Sequence, residues 1–272
     1  GYFSTLTWAS SVVRTLEAQA LVPIFGDNPV ELGMAGREAE LLQRLRADAR
    51  YPAMFAAAFP GEADPITVAN LAKAIASFQR ALVSADSPFD RAQRGVPNAM
   101  SASAERGREM FFSERMECFH CHGGFAHTDS VAPAGSFLDE LSFHNTGLYN
   151  VDGRGGYPAP NTGLHAQTGN AADMGRFRAP SLRNVALTAP YMHDGSIATL
   201  EDVIDFYAAG GRNIPSGPNA GDGRANPNKS GFIVGFTLTP SERADLVAFL
   251  QSLTDTRFVT DPRYADPFGN ER

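Results

Sequence analysis

Cys118 and Cys121 are the only cysteines in the 272-residue chain, and they stand in the run Cys118–Phe119–His120–Cys121–His122. A disulfide across so short a spacing has poor geometry, and two thiols alone do not complete a structural zinc site. A thioredoxin-like redox pair would need βαβ surroundings, and the flanking sequence offers none. C-x-x-C-H has a better use. Its thiols form thioethers with the porphyrin vinyl groups, and the following histidine presents its imidazole to iron. Covalent haem c on Cys118 and Cys121, with His122 as proximal ligand, is therefore expected. The chain must then fold around a flat apolar group that replaces part of an ordinary core.

The rest of the sequence reads as mainly α. Asp64–Pro65 reads as a cap and first-turn proline ahead of Val68, Leu71, Ala72, Ile75, Phe78 and Leu82 at helical spacing. Residues 101–112 form a shorter helix leading to the haem motif. Thr199 and Asp202 start another, with Leu200, Val203, Ile204 and Tyr207 on one face. Thr239, Pro240 and Glu242 open a last helix with Leu246, Val247, Leu250 and Leu253 along its apolar side. Strand-like alternation is scarce, so no large sheet is expected. Gly- and Pro-rich stretches over 123–180 and 209–235 are long enough to carry function. The polar segment Gly95–Asn98 suggests a boundary, with one domain over 1–98 and a cytochrome c-like haem domain over 99–272.

A net charge of −7 argues against nucleic acid as a partner. No apolar run reaches the roughly 18 residues of a transmembrane helix. Gly1 is not an initiator methionine and no leader pattern follows it, so the start is read as a processed or truncated end.

Taken with Arg178–Ala179–Pro180–Ser181–Leu182–Arg183–Asn184 and Ala189–Pro190–Tyr191–Met192–His193–Asp194–Gly195, the haem motif resembles the bacterial dihaem peroxidases. These comprise cytochrome c peroxidase and the MauG group. Phe143–His144–Asn145–Thr146–Gly147–Leu148–Tyr149 and Asp173–Met174–Gly175–Arg176–Phe177 look most like the MbnH type within it. Family members carry two C-x-x-C-H motifs where this sequence has one. The resemblance implies that residues 1–98 are the remainder of an N-terminal peroxidatic haem domain, and that the whole protein holds two haems.

The axial partner of His122 decides the chemistry of the second haem. Composition leaves Met174, Met192, His193 and Tyr207 open. The resemblance selects Tyr207, eight residues after Thr199, where the peroxidases have Met and the MauG group has Tyr. It also places Gln19, Pro23 and Glu31 on the distal side of the peroxide-reacting haem, with Gly26–Asp27 as an insertion. Glu31 would move the protons that O–O cleavage requires. Trp8, the single tryptophan, corresponds to an indole between the haems. Backbone carbonyls of Thr188 and Pro190 correspond to calcium ligands, and Arg178 and Arg183 suit haem propionates.

These readings imply a periplasmic or secreted haem peroxidase-like oxidoreductase. It would use hydrogen peroxide to reach a high-valent state shared by two haems and oxidise an aromatic residue, tryptophan in the MbnH type, of a partner protein. That is a post-translational modification made through long-range electron transfer. The alternatives are a cytochrome c peroxidase that detoxifies peroxide and a non-enzymatic c-type electron carrier. Replacing Cys121 with Ser leaves one thioether at the motif, so the pyridine haemochrome band should move to longer wavelength. An unmoved band would rule out covalent attachment there.

Overall fold

A computed structural model describes residues 7–131 and 142–268. Gly1 and residues 132–141 of the first long loop lie outside the described residues. The chain divides into two compact units, one over Val12–Val83 and the other formed by Thr7–Ser11 with the chain from Ser84 onward. Both are helical, the second also carrying two-residue strands, and no described helix is long and apolar enough to cross a membrane.

The first unit holds α1 (Leu16–Phe25), α2 (Glu38–Ala47), α3 (Arg50–Ala58) and α4 (Val68–Ala81). Ala20 and Ile24 of α1, Phe55 of α3, and Ala72 and Ala76 of α4 are buried, along with Met34 and Ile66. Arg80 pairs with Glu17 at 2.8 Å and ties α4 to α1. α4 starts at Val68 with Thr67 as its N-cap, its side chain accepting from Asn70 N at 3.1 Å, so the cap is not Asp64. Asp64 is engaged by Arg46 at 2.7 Å, and the Pro65 carbonyl accepts from Thr67 N and Asn70 Nδ2. The turn before the helix thus uses the groups expected to cap it.

The second unit contains α5 (Pro88–Gln93), α6 (Ala102–Phe111), α7 (His165–Thr168), α8 (Leu200–Ala208), α9 (Pro240–Ser252) and α10 (Thr256–Val259). Four two-residue strands make two antiparallel pairs: β1 (Phe143–His144) with β2 (Phe177–Arg178), and β3 (Asn213–Ile214) with β4 (Gly221–Asp222). Thr199 and Thr239 cap α8 and α9 as the sequence predicts, the latter in a capping box with Glu242, and Ser101 caps α6 in place of being its first helical residue. Leu246, Val247, Leu250 and Leu253 are buried as expected, and so is Phe249, which the periodicity passes over. Phe249 is fully enclosed because it faces Phe89 and Phe111 at 5.8 and 5.0 Å between ring centres.

Chain division falls at Val83–Ser84, upstream of Gly95–Asn98. Residues 84–98 belong to the second unit because Asp255 Oδ2 accepts from Ala85 N and Asp86 N, and Asp90 pairs with Arg183. Thr7–Ser11 joins it as well, through Arg178 N donating to Trp8 O at 2.8 Å and Ser11 N donating to Gln167.

α6 and α9 cross at Gly107. A β-carbon there would lie 1.9 Å from Asp245 O and 2.8 Å from Phe249 Cβ. Only a bare backbone allows that approach, which Arg106 locks with a bidentate pair to Asp245 at 2.7 Å. Gly107→Ala should destabilise the fold by about 1–3 kcal/mol through overpacking, read as a lower thermal midpoint. An unchanged midpoint would show that the crossing relaxes freely.

Candidate haem site

After α6 the chain turns at Glu117, which adopts a left-handed φ of 56°, into a single 3-10 turn over Cys118–His120. His122 N closes onto Cys118 O at 3.0 Å. This tight coil puts both sulphurs and the His122 imidazole on the wall of one cavity of about 450 Å³. The thiols are free of any disulfide. α6 contributes Phe111 to the wall, α8 contributes Leu200, Ile204 and Tyr207, and α9 contributes Leu246 and Leu250. The lining is mostly apolar, and the volume is that of a cofactor pocket.

His122 Nδ1 lies 3.1 Å from the His127 carbonyl oxygen. Donation along that contact leaves Nε2 with its lone pair free for iron. Burial lowers the His122 pKa and keeps the ring neutral, the form a metal needs. Burial pushes the Cys118 thiol up to about 12, with Cys121 adding to the shift.

Tyr207 borders the same cavity, and its hydroxyl has no hydrogen-bond partner among the described residues. Burial first, and then the neighbouring thiols, raise its pKa. Without such a partner the phenol oxygen would be available to iron. Of the other axial candidates, Met192 and His193 line the cavity and Met174 does not. His193 is packed face to face on Phe177, 3.9 Å between ring centres and 14° from parallel.

Arg178 lines the cavity, and burial lowers its pKa. Arg183 does not line it. It forms a two-pronged pair with Asp90 at 2.9 and 3.0 Å and lies over Phe125 at 3.9 Å. Trp8 stands at the cavity wall with 55% of its surface exposed. Thr188 and Pro190 also border the cavity and are exposed.

In the first unit, Gln19 and Pro23 lie one turn apart on α1. Pro23 has no N–H to offer the Gln19 carbonyl. The chain then folds back so that Leu32 N donates to Pro23 O at 3.0 Å, which sets the exposed Glu31 beside Pro23. These three residues thus share one region of that unit.

Two features escape a linear reading. His144 borders the cavity and meets Asp129 at 2.5 Å. Burial works against its charge, yet Asp129 and the Cys121 sulphur push its pKa up to about 10. The pairing depends on where the short β1 strand brings His144, and no local spacing signals it. His127 is only 1% exposed and neither ring nitrogen has a hydrogen bond among the described residues. Burial and the Arg183 charge lower its pKa to about 4, so it sits neutral against Phe89.

With this geometry in place, comparison with known proteins is direct. Residues 1–98 match the family model described as di-haem cytochrome c peroxidase. Cytochrome-c peroxidase IdrP1 of Denitromonas iodatirespirans is 36% identical over 280 residues, covering 96% of this chain and 69% of that protein. The chain belongs to the di-haem cytochrome c peroxidase/MauG family. Methylamine utilization protein MauG of Methylorubrum extorquens is 35% identical over 241 residues, and the match covers 88% of this chain and 58% of MauG. A crystal structure of a MauG-like protein associated with microbial copper homeostasis superposes with a TM-score of 0.94 at 52% identity, covering 98% of this chain and 76% of that one. Members of this dihaem family are haem oxidoreductases, and the Cys118–Cys121–His122 wall fits the haem c they carry.

The Asp90–Arg183 pair sets an acid limit on this unit. Burial raises the Asp90 pKa, but hydrogen bonds from Arg183 and Ser87 outweigh it and leave the carboxyl below its ordinary range. Its stabilisation is complete above roughly pH 4 and is lost as pH falls through the lowered value. Arg183→Ala should cost about 3–5 kcal/mol at neutral pH by leaving Asp90 unpaired. Asp90→Asn should flatten the acid limb of a stability–pH curve, and an unchanged limb would assign acid unfolding to other groups.

Proposed function

We propose that this protein is a MauG/MbnH-type oxidoreductase that uses hydrogen peroxide to oxidise an aromatic residue, tryptophan, of a partner protein. The observation that carries this reading is Tyr207, a phenol with no hydrogen-bond partner among the described residues, on the cavity wall that holds Cys118, Cys121 and His122. A thioether ligand would raise the reduction potential and suit a relay, whereas a phenolate favours oxidised iron. Haem c supplies one-electron redox chemistry when bound.

The chain's own residues divide the remaining work. His122 is oriented by the His127 carbonyl and would hold the iron, and Tyr207 would be its second protein ligand. Arg178, on the cavity wall, would neutralise a haem propionate. Trp8, held through its carbonyl by Arg178 N, would serve as a relay for an electron moving to or from the haem. In the first unit Gln19 orients peroxide, Glu31 moves its protons, and Pro23 keeps the site free of a competing backbone donor. Thr188 and Pro190 offer carbonyl oxygens to calcium. Because haem c is attached outside the bacterial cytoplasm, we place the protein in the periplasm. We also extend to it the copper-homeostasis setting of its 52% identical structural neighbour.

The relatives named cytochrome c peroxidase support a second reading, peroxide removal with electrons from a small cytochrome. Tyr207 separates the two. The full-length dihaem protein should turn over reduced cytochrome c slowly. Tyr207→Met should raise the potential of the second haem and speed that turnover, while abolishing peroxide-dependent oxygen addition to a tryptophan-bearing partner, followed by mass spectrometry. Fast turnover in the unaltered protein, unaffected by Tyr207→Phe, would establish the peroxidase reading instead.

A further inference from the structure

Beside the cavity lies a cluster of rings that ligation alone does not explain. Leu148, Tyr149, Tyr157, Ile197 and Phe206 form a buried core against which Tyr207 and Phe177 pack. Tyr149 and Tyr157 meet edge to face, 5.5 Å between ring centres, and Tyr157 lies 6.1 Å from His193. His193 and Phe177, stacked together, are part of the cavity wall. An unbroken series of rings therefore runs from the wall to Tyr149, which is 8% exposed.

The hydroxyl partners in this region differ in kind. Tyr157 donates to the Asn145 amide oxygen and Tyr191 to the Val185 carbonyl, neither of which can hold a proton. Tyr149 donates to a carboxylate, Asp194 Oδ2, at 2.6 Å. Above its ring stands the Arg212 guanidinium at 4.6 Å. A cation in that position disfavours positive charge on the ring, so an electron can leave readily only if a proton leaves with it.

We propose that Tyr149 is a redox-active tyrosine that stores an oxidising equivalent from the haem cavity as a neutral radical, with Asp194 as the proton acceptor. One electron passes from the Tyr149 ring to the peroxide-derived oxidant at the cavity. The Oη–H bond breaks, its proton moves to Asp194 Oδ2, and the carboxylate becomes a neutral acid. An electron returned by a reduced donor, together with the same proton, restores the phenol. The resting state suits this exchange. Burial and the Asp194 charge raise the Tyr149 pKa and keep it protonated. Burial works against the Asp194 charge, yet hydrogen bonds from Tyr149 and Ser196 lower its pKa and keep it ionised.

The assignment rests on the peroxide reading for its oxidant, so two oxidants are used on the full-length haem-loaded protein. Hydrogen peroxide followed by rapid freezing should give a tyrosyl signal in electron paramagnetic resonance. The signal should be lost in Tyr149→Phe and in Asp194→Asn and persist in Tyr157→Phe, the resting haem absorption of each variant being that of the unaltered protein before oxidant is added. Photogenerated ruthenium(III) tris-bipyridine, a one-electron oxidant that needs no peroxide chemistry, should give the same pattern. A Tyr149-dependent signal with ruthenium but none with peroxide sustains the assignment and overturns the peroxide reading. A signal that survives both Tyr149→Phe and Asp194→Asn, or no tyrosyl signal with either oxidant, overturns the assignment. Should Tyr149→Phe fail to take up haem, Asp194→Asn decides.

Discussion

Gly107 lets α6 rest directly on the backbone of α9, and the second unit is organised around that contact. The crossing presses Phe249 into a nest of Phe89, Phe111 and Phe112, and it carries Phe111 to the edge of the cavity. α9 also packs against α8, so one close approach fixes three walls of the haem site. A cofactor with a rigid outline needs walls that do not drift, and a helix pair with no side chain between the backbones has little freedom to slide.

The long loops are held by a different device. Asn145 Oδ1 accepts from Gly147 N and from the Tyr157 hydroxyl, and Asn226 Nδ2 donates to Tyr149 O. Asn150 joins Gly155 N to Asp222 O. Buried backbone groups must find partners, and these amides do what strand ladders do elsewhere. This explains how stretches rich in glycine and proline can be ordered with only two-residue strands. It also places Tyr149 and Tyr157 at set distances from the cavity, since the same amides anchor both.

Acidic groups in the interior are each answered by more than one donor. Asp90 takes Arg183 and Ser87, Asp255 takes two backbone N–H groups from 85 and 86, and Asp245 takes Arg106 and Ser103. Paired in this way they join distant parts of the chain, where unpaired they would be strongly destabilising. His127 is the contrast. It remains neutral because burial and Arg183 oppose its charge, while its backbone carbonyl holds His122.

Local chemistry written in the sequence determined the attachment of haem c, the mainly helical class and the starts of three helices. C-x-x-C-H, Ser101, Thr199 and Thr239 act within one turn of chain, so neighbouring residues suffice to read them. Family resemblance singled out Tyr207, and only the folded chain showed its hydroxyl on the cavity wall without a partner among the described residues. Tertiary structure alone assigned Arg183 to Asp90, Thr67 rather than Asp64 to the cap of α4, and residues 84–98 to the second unit. It alone brought His144 to Asp129 and Tyr149 to Asp194. Those pairings join residues far apart in the chain. Which of several available partners a charged group takes depends on packing, and no spacing pattern records it.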